Sequence, residues 1–148
     1  MKTKFQFLIA FLFTILSSTY KVNAQNKNEW QPIFLNVIGD NKMDGVEVFF
    51  QVNSCNGEDA ICIKFINHNK YTVKIEWFDE VFTHDLKWIN KEKESDKKTI
   101  TISSSTEKKG ECFQNLYPEL YVKAKTFLSD SKDFKRFKTD QLMVTAVK

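Results

Sequence analysis

Between Gly45 and Trp77 an apolar side chain recurs at almost every second position, and this period of two constrains the fold more than any other feature of the chain. In GVEVFFQV, Val46, Val48, Phe50 and Val52 share one face. Ile61, Ile63 and Phe65 share another, with Cys62, Lys64 and Ile66 on its reverse. Tyr71, Val73, Ile75 and Trp77 then alternate with Thr72, Lys74, Glu76 and Phe78. Successive side chains of a strand point to opposite faces, so each segment reads as a strand with one buried face. The NHNK run from Asn67 to Lys70 tolerates left-handed backbone and reads as a tight connection. Ile61 to Trp77 is therefore expected to be a β-hairpin.

The remaining segments carry the same period more weakly. Residues 31–38 (QPIFLNVI) read as a short strand opened by Pro32, where a missing N–H does least harm. DNKMDG, from Asp40 to Gly45, is turn chemistry. Residues 80–83 continue as a short strand, and residues 90–98 (NKEKESDKK) form a charged surface loop. Ile100 and Ile102 alternate in 98–103; Leu120, Val122 and Ala124 alternate in 120–127; residues 142–147 close the chain as a strand. Residues 131–137 are expected to form one or two helical turns capped by Ser131. About seven or eight short strands with almost no helical period define an all-β, antiparallel β-sandwich, with an up-and-down barrel as the alternative.

The first 24 residues have a different character. Lys2 and Lys4 precede a mostly apolar run from Phe5 to Leu16, and small residues lead to Val22-Asn23-Ala24. This is the layout of a secretory signal peptide, expected to be cut between Ala24 and Gln25. Its apolar run is shorter than the roughly 20 residues that cross a bilayer, so no stable membrane span is expected. No cysteine stands at the cut, which argues against lipid attachment there. Lys2, Lys4 and Lys21 are the leader's only charges; taking these three from 22 basic residues leaves 19, against 19 acidic. The mature chain is thus neutral, and nucleic acid is not an expected partner. Removing 24 of 148 residues leaves 124, the size of one domain, residues 25–148. A chain of that length buries enough surface to fold without a covalent staple.

Export makes a disulfide the default use of cysteine. Cys55, Cys62 and Cys112 are the three available, with no C-x-x-C and no histidine at zinc-ligand spacing. Cys55 and Cys112 both lie at loop–strand junctions beside glycine, in SCNG and GEC, and are the expected pair. Cys62–Cys112 is the alternative. Cys62, Trp77 and Cys112 follow the immunoglobulin order of Cys, Trp, Cys, but Cys62 shares its face with Lys64, and Gly110 stands where a tyrosine would be expected. If Cys62 is left over, it is either a small buried apolar group or a free thiol that links to a partner.

Cys62, KFINHNKYTVKIEW and the late GEC ahead of a strand together resemble small secreted bacterial proteins of immunoglobulin-like shape. The resemblance spans about Gly45 to Val122 and rests on turn and core residues. It implies an immunoglobulin-like β-sandwich and an exported location, secreted or periplasmic. It implies no catalytic or binding residue.

Candidate chemistry is sparse. DNKMDG fails as a calcium loop, because Lys42 occupies a ligand position and Gln51 stands where a closing glutamate belongs. No metal or other cofactor is expected. His84 beside Asp85 offers a base and its orienter, but no nucleophile motif accompanies them, and adjacent residues of an extended chain face opposite ways. His68 falls in an expected turn. The acidic pairs Glu58-Asp59 and Asp79-Glu80 read as solvated turn residues rather than a glycosidase pair. Phe78, Phe82 and Trp88 form an aromatic-rich stretch: with Trp77 in the core, these three are either a candidate exposed platform for a sugar ring or a protein, or core packing and edge cover, since aromatics usually bury. DFKRFK, from Asp133 to Lys138, mixes bases with phenylalanines and suits either an anionic polymer or a solvated face. The expectation is a non-enzymatic module that binds a protein or a glycan at the cell envelope. A periplasmic inhibitor of a hydrolase, such as a lysozyme or protease, is the first alternative, and a small hydrolase using His84 and Asp85 the second.

Overall fold

The structure, a computed structural model, describes residues 29–90, 93–112, 116–128 and 134–148. The expected leader and the proposed cap Ser131 lie outside the described residues. The strands are β1 (Gln31–Pro32), β2 (Lys42–Met43), β3 (Val46–Cys55), β4 (Glu58–Asn67), β5 (Val73–Thr83), β6 (Trp88–Asn90), β7 (Lys98–Ile102), β8 (Glu107–Lys109), β9 (Tyr121–Lys123) and β10 (Phe134–Ala146). They form two sheets, with every pairing antiparallel. In the first, β3 and β4 lie at the centre, with β1 and β2 on the far edge of β3 and β8 and β9 on the far edge of β4. In the second, β5 is flanked by β10 on one side and by β6 and β7 on the other.

The alternating apolar faces of the two sheets meet in one core. Val46, Val48, Phe50, Ile61, Ile63 and Phe65 come from the first sheet, and Val73, Ile75, Trp77, Val81, Ile100, Ile102, Phe134 and Phe137 from the second. Phe65 and Trp77 touch across the interface with ring centroids 4.9 Å apart. Phe50 reaches Phe134 and Phe137, each at 6.2 Å. Each such ring, taken fully out of water, contributes on the order of 2–3 kcal/mol. The fold is a β-sandwich of two separate sheets, one of the two architectures that the period of two allows, and not the barrel.

The expected hairpin from Ile61 to Trp77 does not form. β4 pairs with β3, β8 and β9, whereas β5 pairs with β10, β6 and β7, so the intervening residues cross from one sheet to the other. A strand with one apolar face is equally satisfied by a neighbour in its own sheet and by a strand facing it, and here facing wins. Tyr71, expected inside, is therefore exposed on the crossover. The hairpin that does form joins β3 to β4 through Asn56-Gly57, with φ of 54° and 77°. Asp44-Gly45 closes β2 onto β3 in the same way, with φ of 46° and 77°. Two positive φ values are the requirement of the type I′ turn, whose twist matches that of its strands.

Two further expectations change. The strand expected over 31–38 stops at Pro32, and residues 33–41 leave the sheet as a loop. The helical turns expected near Ser131 are instead a strand from Phe134 onward. Phe134 and Phe137 are three apart, a helical spacing, yet both face the core. The register against β5 shifts between Phe134 and Arg136, so a β-bulge at Lys135 returns the second ring to the inner face. A second shift between Asp140 and Met143 does the same for Leu142.

Gly110 explains a residue that spacing left unexplained. Its N–H donates to the Ile63 carbonyl at 2.8 Å, and a Cβ there would collide with the Leu120 carbonyl oxygen. Glycine lets the 3-10 turn Pro118–Leu120 close over this strand end.

Candidate functional site

The strict alternation of β5 sends Trp77, Asp79 and Val81 inward and Phe78, Glu80 and Phe82 outward. Trp88, at the start of β6, pairs in register with Phe82. The three aromatic residues singled out from the sequence thus share the outer face of the second sheet, but unequally. Phe82 and Trp88 stack with centroids 4.6 Å apart and planes tilted by 39°. Trp88 is 49% exposed, whereas Phe78 is only 4% exposed. Phe78 faces outward as expected but is covered: the Lys97 ammonium lies 5.7 Å above its ring, and Asp140 is its partner across β10. The platform is the Phe82–Trp88 pair, without Phe78.

Cations frame that pair. The Lys135 ammonium lies 5.4 Å from the Phe82 centroid and that of Lys138 lies 5.6 Å from the Trp88 centroid. Arg136, which is exposed, stands opposite Phe82 on β10. An ammonium over a ring face is drawn by the ring's quadrupole. Lys138 also bridges Glu80 at 3.1 Å and Asp140 at 2.9 Å. Burial depresses its pKa, but the hydrogen bonds to Asp140 and Glu80 outweigh burial and hold it above the ordinary lysine value. The basic run of DFKRFK and the aromatic stretch ending at Trp88 are thus one surface. Each is visible in the sequence; their meeting depends on β10 pairing with β5, which no local pattern encodes.

The turn that delivers Trp88 is tightly held. The Thr83 N–H donates to the Lys87 carbonyl at 2.9 Å, and the Lys87 N–H donates to the Thr83 hydroxyl oxygen at 3.1 Å. The Asp85 carboxylate accepts from the Thr83 hydroxyl and pairs with Lys87 at 2.7 Å. Lys87 and then Thr83 hold the Asp85 carboxyl below its ordinary pKa. Asp85 is thereby committed to Lys87 and Thr83 rather than to His84, while His68 Nε2 lies 3.2 Å from Glu47. The neighbours Asp79 and Glu80 part to opposite faces: Asp79 accepts from Trp77 Nε1 at 2.9 Å and pairs with Lys98 at 2.7 Å inside, and Glu80 pairs with Lys138 outside. Among the described residues no group of three or more His, Cys, Asp or Glu is placed to hold a metal ion.

Cys55 and Cys112 form the disulfide, with Cα atoms 5.5 Å apart, which overturns the Cys62–Cys112 alternative. Cys62 is free and buried on the outer face of the first sheet, opposite Gln51 and Tyr121. Its Sγ accepts from Asn53 Nδ2 at 3.5 Å. Burial pushes its thiol above the ordinary pKa, away from the thiolate form that reacts. Linkage of Cys62 to a partner would require this cover to open. No helix among the described residues is long and apolar enough to cross a membrane.

A further aromatic–cation cluster lies on the outer face of the first sheet. Lys64 sits 4.8 Å from both the Trp30 and the Phe49 ring centroids, so its own side chain takes up both ring faces. Compared with known proteins, the chain matches no family model, no curated protein and no solved structure.

Proposed function

We propose that this protein is an exported, non-enzymatic binding module of the cell envelope, secreted or periplasmic, and that its ligand is a glycan carrying acidic groups. The observation that carries the reading is the Phe82–Trp88 pair, with Trp88 half-exposed and the exposed Arg136 opposite Phe82. The exposed part of the Trp88 indole packs against the C–H face of a sugar ring, and Arg136 meets a carboxylate, sulfate or phosphate on the sugar. The leader pattern and the Cys55–Cys112 bridge support export. The neutral mature composition supports a local charge contact rather than the broad basic surface that nucleic acid requires.

The test is a titration of the mature protein with polygalacturonate and alginate, with neutral dextran as control, followed by tryptophan fluorescence and calorimetry. Both acidic glycans are expected to bind and dextran not, with binding weakened by salt. Trp88→Ala is expected to weaken binding about tenfold, the scale of one aromatic contact. Equal binding by Trp88→Ala, or no binding of either acidic glycan, overturns the reading.

A further inference from the structure

The loop over residues 33–41 is built to hold apolar side chains in solvent. Its ends are pinned: the Ile33 N–H donates to the Val48 carbonyl at 3.0 Å, and the Val48 N–H to the Asn41 carbonyl at 2.9 Å. Ile33 is buried in the core and Leu35 packs against it. The neck closes where the Leu35 N–H donates to the Asp40 carbonyl at 2.7 Å. Inside the loop, Asn36 Oδ1 accepts from the N–H groups of Ile38 at 3.2 Å and Asp40 at 3.1 Å, and Asn36 Nδ2 donates to the Asp40 carboxylate at 2.8 Å. What this framework displays is Val37 at 104% exposure, Ile38 at 80% and Phe34 at 53%.

The fold does not require these residues at the tip. Other tight turns of the chain include Asp44-Gly45 and Asn56-Gly57, the polar, flexible residues that turns favour, and the Thr83–Lys87 turn, which exposes the single apolar residue Leu86 rather than an adjacent pair. Val37 and Ile38 are β-branched and gain no burial. A rigid apolar tip with a polar collar of Asn36, Asp40 and Asn41 has the layout of an interface core and rim. Its ordering is completed before a partner arrives, which lowers the cost of association.

We infer that this loop is a protein-docking wedge: Val37 and Ile38, flanked by Phe34, seat in an apolar pocket of a separate folded protein whose rim presents a cation to Asp40. Asp40 is the only charged residue in 33–41. Its carboxylate meets a lysine or arginine favourably and is repelled by an anionic lipid surface. Two copies meeting tip to tip would oppose two Asp40 carboxylates, which disfavours that symmetric contact.

The inference is independent of the glycan reading, because the loop extends from the first sheet and the Phe82–Trp88 pair lies on the outer face of the second. The full chain is expressed in its own host with benzoylphenylalanine in place of Ile38, or of exposed Thr101 as control, and irradiated. A discrete adduct to one protein is expected from position 38 and not from position 101. That protein, purified, is expected to bind the wild type, and to bind Val37→Asp/Ile38→Asp at least tenfold more weakly, with Thr101→Asp unaffected. Both variants alter exposed side chains, and an unchanged urea midpoint and unchanged polygalacturonate binding verify that they fold. An adduct between two copies, no discrete protein adduct, or equal binding by the double variant overturns the inference. So does wild-type sedimentation with phosphatidylethanolamine–phosphatidylglycerol vesicles that the double variant loses.

Discussion

The side-chain amide of Asn67, the last residue of β4, donates to the carbonyl of Ser103 just beyond β7 at 3.0 Å, and so ties one sheet to the other where the chain crosses between them. The same Nδ2 reaches the carbonyls of Tyr71 at 2.9 Å and Ile102 at 3.3 Å, and Oδ1 accepts from the Asn69 N–H at 3.0 Å. Asn67 is buried, so these backbone groups have no easy recourse to water. Asn67→Ala is expected to destabilise the fold by about 2–3 kcal/mol. Asn67→Asp is expected to cost at least as much, because it turns an acceptor toward three carbonyl oxygens. Urea unfolding of the two variants checks both; a loss below about 0.5 kcal/mol for Asn67→Ala would show the crossover to be held by packing alone.

Lys98 is the counterpart at the other end of β7. Its ammonium pairs with buried Asp79 at 2.7 Å and donates to the Glu119 carbonyl at 2.7 Å, linking the inner face of the second sheet to the turn before β9. Removing one partner of a buried ion pair strands the other. Lys98→Met is expected to cost about 3–5 kcal/mol, and adding Asp79→Leu to recover only part of that, since the apolar pair removes the stranded carboxylate but leaves Trp77 Nε1 and the Glu119 carbonyl without these partners. A denaturation double-mutant cycle measures the coupling.

Cys55 and Cys112 are separated by 57 positions. Closing a loop of that length restricts the unfolded chain by about 4 kcal/mol in the chain-entropy account. Cys55→Ala/Cys112→Ala is expected to fold, with stability lowered by about that amount relative to the oxidised protein. Reductant should shift the urea midpoint of the wild type and leave that of the double variant in place.

Cys62 should be silent toward aromatic disulfide reagents in the folded protein and react fully in urea. Its native thiol holds its proton more tightly than the unfolded thiol does, because burial, which Asn53 partly offsets and Glu111 reinforces, penalises the thiolate. The sign follows directly: this contribution is complete below the ordinary thiol range and is lost as pH rises through the raised native value. The stability of the wild type relative to Cys62→Ala is therefore expected to fall as pH rises above the ordinary thiol range, as measured by urea unfolding at a series of alkaline pH values.

The β-sandwich, its apolar faces and its disulfide pair were all legible in residue order, because each follows from local chemistry. A period of two gives a strand one dry face whatever its neighbours are. Cys55, the last residue of β3, and Cys112, in the turn beyond β8, each lie close to a glycine, where a bridge between distant segments fits. Asn56-Gly57 and Asp44-Gly45 also carry their turn geometry in two residues, although the hairpin was expected at Asn67–Lys70 instead. Pairing was not legible there, because the energy that sends β4 and β5 to different sheets comes from facing partners such as Trp77 against Phe65 and from the remote carbonyls that Asn67 reaches. Phe134 and Phe137 read as helical because a bulge and a helix both bring residues three apart to one side; long-range pairing with β5 makes it a bulge. The same pairing buries Phe78 under its neighbours and brings Lys135 and Lys138 to Phe82 and Trp88. Strand faces and turns belong to a few consecutive residues. The choice of neighbour, and with it the candidate surface, belongs to contacts such as those of β5 with β10, between residues 51 to 73 positions apart, whose strength depends on the whole core closing at once.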